Sequence, residues 1–127
     1  NIVSKKLGFS RFLKSFKYSF QGYAYAYTHE QSMIIHLLGT SLAVFAGIYF
    51  NINMVEWLFL IFLTGLTVAI ELLNTSIEAT IDLVSPKLHP LAKIAKDTAS
   101  ASVFTLTMIT IIGILMIFVP KIVKTFF

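Results

Sequence analysis

The sequence has 127 residues and a formal net charge of +4, with 57% hydrophobic and only 13% charged residues. A soluble domain averages about 45–50% apolar and about 25% charged, so this chain has too little charge to coat a water-exposed globule, and its apolar surface must face lipid. It contains no cysteine, which excludes disulfides, zinc–thiolate sites and cysteine nucleophiles.

The first predicted element is an amphipathic helix over residues 7–20. Phe9, Phe12, Leu13, Phe16 and Phe20 fall at helical spacing on one side, and Arg11, Lys14, Ser15 and Lys17 take the other. Aromatics opposite cations suit a helix lying in the bilayer interface. Five of the ten basic residues (Lys5, Lys6, Arg11, Lys14, Lys17) precede the first apolar run, as membrane anchors do, which argues against a nucleic-acid partner. No signal-peptide pattern opens the sequence, and none is expected.

Three apolar runs follow, at about Met33–Phe50, Met54–Leu73 and Ala101–Val119. Each approaches the ~20 residues needed to cross ~30 Å of hydrocarbon. Gly39, Ala43 and Gly47 repeat every fourth residue of the first span, a close-packing face between helices in lipid. Asn51–Asn53 is a tight turn. The second helix is predicted to continue past Asp82. Ser85-Pro86 and His89-Pro90 punctuate the next loop, with Pro90 suited to the first turn of the third helix and Pro120 expected to end it. Basic residues cluster before span 1 and over residues 83–97 and are absent from residues 51–56, so the first two segments are expected in the cytosol. The predicted fold class is all-α integral membrane, a single domain over residues 1–127.

The acids carry the chemistry. Glu71, Asn74, Glu78 and Asp82 follow i, i+3, i+7, i+11, an arc of roughly 80° on one helix face, with Asp82 about 16 Å along from Glu71. Solvated helix-end acids would account for Asp82 and Glu78. They account poorly for Glu71, which Val68-Ala69-Ile70 precedes and Leu72-Leu73 follows, because an ionised acid at mid-membrane costs roughly 2.5–3.5 kcal/mol. Lys93, Lys96, Asp97 and Ser100 share a face of the third helix, where lysines often snorkel. The two helices together offer oxygen ligands, a cation and a deeper carboxylate. Mg²⁺ is held by one or two carboxylates plus phosphates, and phosphoryl transfer needs metal, cation and a residue that orients or deprotonates the nucleophile. The sequence has no Walker loop, no G-x-G-x-x-G, no H-R-D or D-F-G, no H-E-x-x-H, and one arginine.

The runs E-L-L-N-T-S-I-E-A-T-I-D (Glu71–Asp82) and A-K-D-T-A-S-A-S-V (Ala95–Val103), with F-L-K-S-F-K-Y-S-F-Q-G (Phe12–Gly22) and Glu30, resemble the small bacterial diacylglycerol kinase and undecaprenol kinase family over nearly the whole chain. The resemblance implies a homotrimer in the bacterial cell membrane, with active sites near the cytoplasmic face shared between protomers. It implies Glu71 as general base on the lipid hydroxyl, Glu30 and Glu78 as holders of Mg²⁺ on ATP, and Asn74 and Ser100 as supports of the substrate-binding face. Lys96, Asp97, Arg11, Tyr18, Lys87 and His89 would meet the nucleotide. Ser32 and Ile34 stand where many undecaprenol kinases have Asn and Arg, and Lys87 where the diacylglycerol branch has an acid. His89–Asp97 looks more like the undecaprenol branch. The expected function is therefore ATP-dependent phosphorylation of a lipid alcohol, undecaprenol, or alternatively diacylglycerol. A proton- or cation-coupled transporter relaying through Glu71 and Asp97, and a non-enzymatic membrane interaction protein, are the rival readings.

Overall fold

The structure is a computed structural model and describes residues 7–127, so Lys5 and Lys6 lie outside the described residues. Four helices follow one another: α1 Phe9–His29, α2 Gln31–Tyr49, α3 Met54–Val84 and α4 Pro90–Phe126. The last three are long and apolar enough to cross a membrane.

α1 runs nine residues past the predicted end at residue 20. The helix runs through Gly22, no proline falls in Gln21–Thr28, and Ala26 gains a fully buried seat. The chain leaves helical geometry at one residue, Glu30 (φ −111°, ψ 111°), before α2 begins. Phe9, Phe12, Phe16 and Phe20 stay exposed, and Phe12 packs edge-to-face on Phe16 at 5.2 Å. That exposed aromatic row suits a lipid-facing side.

α3 and α4 form the most extensive helix pair. At the end bearing the 51–53 turn, Ala43, Ile52, Leu60 and Phe118 are buried together, with Trp57 and Phe50 packed against them. Gly47 permits this, since a Cβ there would lie 2.7 Å from the Trp57 ring. The repeat of small residues packs only in part, because Ala43 and Gly47 are buried whereas a Cβ on Gly39 would meet nothing within 4 Å.

The turn works through its asparagines. Asn51 adopts φ 51°, a left-handed conformation that Asn tolerates better than most residues. Asn53 caps α3 in a reciprocal capping box with Glu56. Replacing Asn53 with alanine is expected to cost about 1 kcal/mol, read as a lower melting temperature.

Pro120 does not end the third membrane helix, because α4 continues through it to Phe126. A proline inside a helix loses one backbone hydrogen bond. Contacts on either side offset that loss: Phe118 is in the core, and Lys121 Nζ lies 2.7 Å from Glu56 Oε2.

Candidate active site

Glu71 is 2% exposed, although it lies within a helix whose outer faces are apolar. The Ser32 hydroxyl donates to Glu71 Oε1. His36 Nε2 lies 3.8 Å from Oε2, too far for a hydrogen bond, and Oε2 has no partner among the described residues. A buried carboxylate oxygen without a donor is costly, and no hydrogen bond from the described residues offsets that cost. α2 makes the arrangement because Ser32 and His36 are four residues apart and so share the face turned to α3. Sequence reasoning assigned neither residue. The available signal was a Ser/His pair at i, i+4 in the span next to a lone buried acid. The departure from the family pattern at position 32 therefore keeps a polar contact, whereas Ile34 is exposed and apolar.

One turn along α3, Asn74 is buried and its side-chain amide donates to Glu78 Oε1 at 3.1 Å. Asn74 Oδ1 has no partner. Glu30, held at the break between α1 and α2, has its carboxyl pushed above the usual range, first by partial burial, then by the Glu78 and Glu71 carboxylates, with His29 opposing. The three acids are thus electrostatic neighbours. Among the described residues no group of three or more His, Cys, Asp or Glu could hold a metal by itself. Two carboxylates and an unpaired amide oxygen in a field short of positive charge nevertheless fit Mg²⁺, which takes hard oxygen ligands and completes its shell with phosphates and water.

Beyond Glu78, the stripe meets the start of α4. Lys96 Nζ lies 2.5 Å from Asp82 Oδ1, and Lys93 Nζ lies 2.5 Å from Asp97 Oδ2. Lys96 thus sits on the acid at the end of the stripe, while its neighbour Asp97 faces Lys93. Both pairs are largely exposed, which makes them weak as struts and open to exchange with a charged ligand. They line a groove of about 660 Å³ together with Lys87 and His89. His89 Nδ1 also caps α4 by accepting from the Leu91 amide at 3.1 Å. Ser100 is exposed and lines a separate groove with Ser32 and His36. Arg11 and Tyr18 are exposed on α1. Arg11 lies nineteen residues before Glu30, about 28 Å along the axis of α1.

Three span-length helices, a buried carboxylate beside two others and a lysine-lined groove suit phosphoryl transfer at a membrane. Comparison with known proteins agrees. The model of the prokaryotic diacylglycerol kinase family matches residues 17–118. Undecaprenol kinase of Bacillus subtilis strain 168 is 37% identical over 112 residues, covering 88% of this chain and 91% of that protein. Diacylglycerol kinase of Helicobacter pylori J99 is 36% identical over 101 residues, 80% of this chain and 79% of that protein. Diacylglycerol kinase of Escherichia coli K12 is 30% identical over 111 residues, 87% of this chain and 91% of that protein. The chain belongs to the prokaryotic diacylglycerol kinase family and is a multi-pass membrane lipid kinase.

Proposed function

We propose that this kinase transfers the γ-phosphoryl group of ATP to the hydroxyl of undecaprenol, giving undecaprenyl phosphate and ADP. The observation that carries the reading is the buried Glu71 carboxylate, with one oxygen engaged by Ser32 and the other unpartnered. Glu71 Oε2 accepts the proton of the lipid hydroxyl as the alcohol oxygen bonds to the γ-phosphorus. The bond from that phosphorus to the β,γ-bridging oxygen breaks, and ADP leaves. Ser32 keeps the carboxylate oriented. Glu30 and Glu78 would hold Mg²⁺, with Asn74 fixing the Glu78 side chain. When bound, Mg²⁺ neutralises charge on the phosphate oxygens.

Lys96, Asp97, Lys87 and His89 meet the nucleotide in the groove at the start of α4, and Ser100 supports the lipid-facing side. Basic residues concentrated before α2 and around residues 87–96 support a position for this end on the cytoplasmic side of the bacterial cell membrane. The undecaprenol assignment draws on the likeness to the Bacillus subtilis enzyme. Diacylglycerol is the second reading, favoured by the relatives named diacylglycerol kinase. Purified protein given Mg-ATP with either lipid tests the assignment. Phosphorylated undecaprenol is the expected main product, and no phosphorylated lipid from either substrate would overturn the reading.

Three spans are too few to screen a polar stripe from lipid on every side, so the working unit is a homo-oligomer, a trimer by family likeness. By the same likeness the sites are shared between protomers, with Arg11 and Tyr18 meeting the nucleotide. Subunits bearing Arg11→Ala and subunits bearing Glu71→Ala should each be poorly active alone and regain activity when mixed. No regain in assemblies verified as mixed would place Arg11 outside the shared site.

A further inference from the structure

Beside the Glu71 position a crevice of about 220 Å³ opens between α2, α3 and α4. His36, Gly39, Thr40, Thr64, Thr107 and Ile111 are among the residues that line it. It continues the groove formed by Ser32, His36 and Ser100. Thr67 and Thr64 fall four and seven residues before Glu71, about 6 and 10 Å along α3, so the crevice runs from the carboxylate towards the middle of the helix bundle. An alcohol whose hydroxyl sits at Glu71 would send its chain in that direction.

The polarity of the walls is unusual for so many hydroxyls. Thr64 donates to the Leu60 carbonyl at 2.7 Å, Thr67 to Leu63 at 2.8 Å and Thr107 to Val103 at 2.8 Å. Thr110 shares a 2.9 Å bond with Thr67 and points at the Leu63 carbonyl at 3.4 Å. Helical threonines commonly spend their protons in this way. With their protons so engaged, these hydroxyls offer a ligand acceptors and not donors. Among the described hydrogen bonds, only Thr40 of these hydroxyls has no partner.

We infer that this crevice is the subsite for the hydroxyl-terminal isoprene unit of a prenol, and that it discriminates against diacylglycerol. The inference rests on the lipid-kinase reading above and deepens it. An isoprene unit brings no hydrogen-bonding atom and needs none. The two ester carbonyls of a diacylglycerol would meet one free hydroxyl among walls of acceptors, and a carbonyl taken from water without a donor is penalised. Size agrees, because an apolar cavity of about 150 Å³ holds benzene, so this volume takes one branched five-carbon unit and not a long chain. Gly39 leaves the room for the branch, since a Cβ there would meet nothing within 4 Å.

The test is Gly39→Leu, with Gly39→Ala as the graded step, in the full-length protein in lipid nanodiscs. Neither change meets a clash at Cβ, so folding and oligomeric state should be kept. The KM for undecaprenol should rise about tenfold or more in Gly39→Leu, the usual range for a pocket altered by a few carbon atoms, and less in Gly39→Ala. The KM for ATP should not move, and diacylglycerol kinetics should change little. An unchanged undecaprenol KM, an equal rise for both lipids, or dissociation of the oligomer would overturn the inference, the last by making Gly39 a contact between protomers. A diazirine-bearing farnesol supplies a readout that needs no turnover. It should crosslink to the Gly39–Thr40 segment in the wild type and lose that product in Gly39→Leu. Crosslinking there in a protein that phosphorylates neither lipid would sink the kinase assignment and leave the subsite standing, whereas phosphorylation without this crosslink would do the reverse.

Discussion

Glu71→Gln is expected to lower turnover by ~10²–10⁴, the usual weight of a general base, while the protein stays folded, oligomeric and able to bind Mg-ATP. The amide keeps the shape of the side chain and an oxygen that accepts from Ser32, so the contact between α2 and α3 survives. What disappears is the carboxylate oxygen Oε2, which has no hydrogen-bond partner among the described residues and is the proposed acceptor of the alcohol proton. Lipid-phosphorylating rates, read beside nucleotide affinity and melting temperature, separate the two consequences. Glu56→Gln is the control. It weakens the ion pair with Lys121 and the α3 cap at the far end of the bundle, so the melting temperature should fall with turnover unchanged. Wild-type turnover in Glu71→Gln would remove the carboxylate from the chemistry and leave it a purely structural role.

The second large effect is expected at the Glu30 and Glu78 pair. Either residue changed to Gln should remove most of the activity at ordinary Mg²⁺ and shift the Mg²⁺ requirement upward. Unimpaired turnover of the wild type in excess chelator would refute the two-carboxylate site. A stability measurement gives a second handle. Burial and the neighbouring carboxylates raise the Glu30 pKa above 4.5 in the folded protein. The fold therefore binds the proton more tightly than the unfolded chain does, and stability falls as pH rises from about 4.5 through the raised value. Glu30→Gln removes this penalty, so its melting temperature should decline less with pH across that window. Mg²⁺ with a nucleotide should raise the wild-type melting temperature and raise that of Glu30→Gln less. Parallel melting curves for the two proteins at every pH would mean that neither burial nor the other acids raise the Glu30 carboxyl.

Much was legible from residue order. The three spans follow from apolar runs long enough to cross a bilayer, and α3 does continue past Asp82, because no glycine, proline or turn signal interrupts Glu71–Val84. The acidic stripe is a matter of helical period, and helical period is local. The extents of α1 and α4 were less legible. The sequence pattern marks where an amphipathic face fades at residue 20, but the helix continues where Ala26 is buried by contacts that no window of sequence contains. Pro120 reads as a stop by its own chemistry, and only the contacts of Phe118 and Lys121 on either side carry α4 through it.

By itself the sequence determined the class of protein, the helical spans and the helix face that bears Glu71, Asn74, Glu78 and Asp82, because composition and a period of 3.6 are properties of the chain alone. Tertiary structure decided what each of those side chains meets. It brought Ser32 to Glu71 across thirty-nine positions, set His36 beside the free oxygen, gave Lys96 to Asp82 instead of Asp97, and opened a threonine-walled crevice at Gly39 where the spacing of small residues suggested a closed seam. Pairings between helices depend on crossing angle, register and the bend at Glu30, and these arise only when the four helices pack.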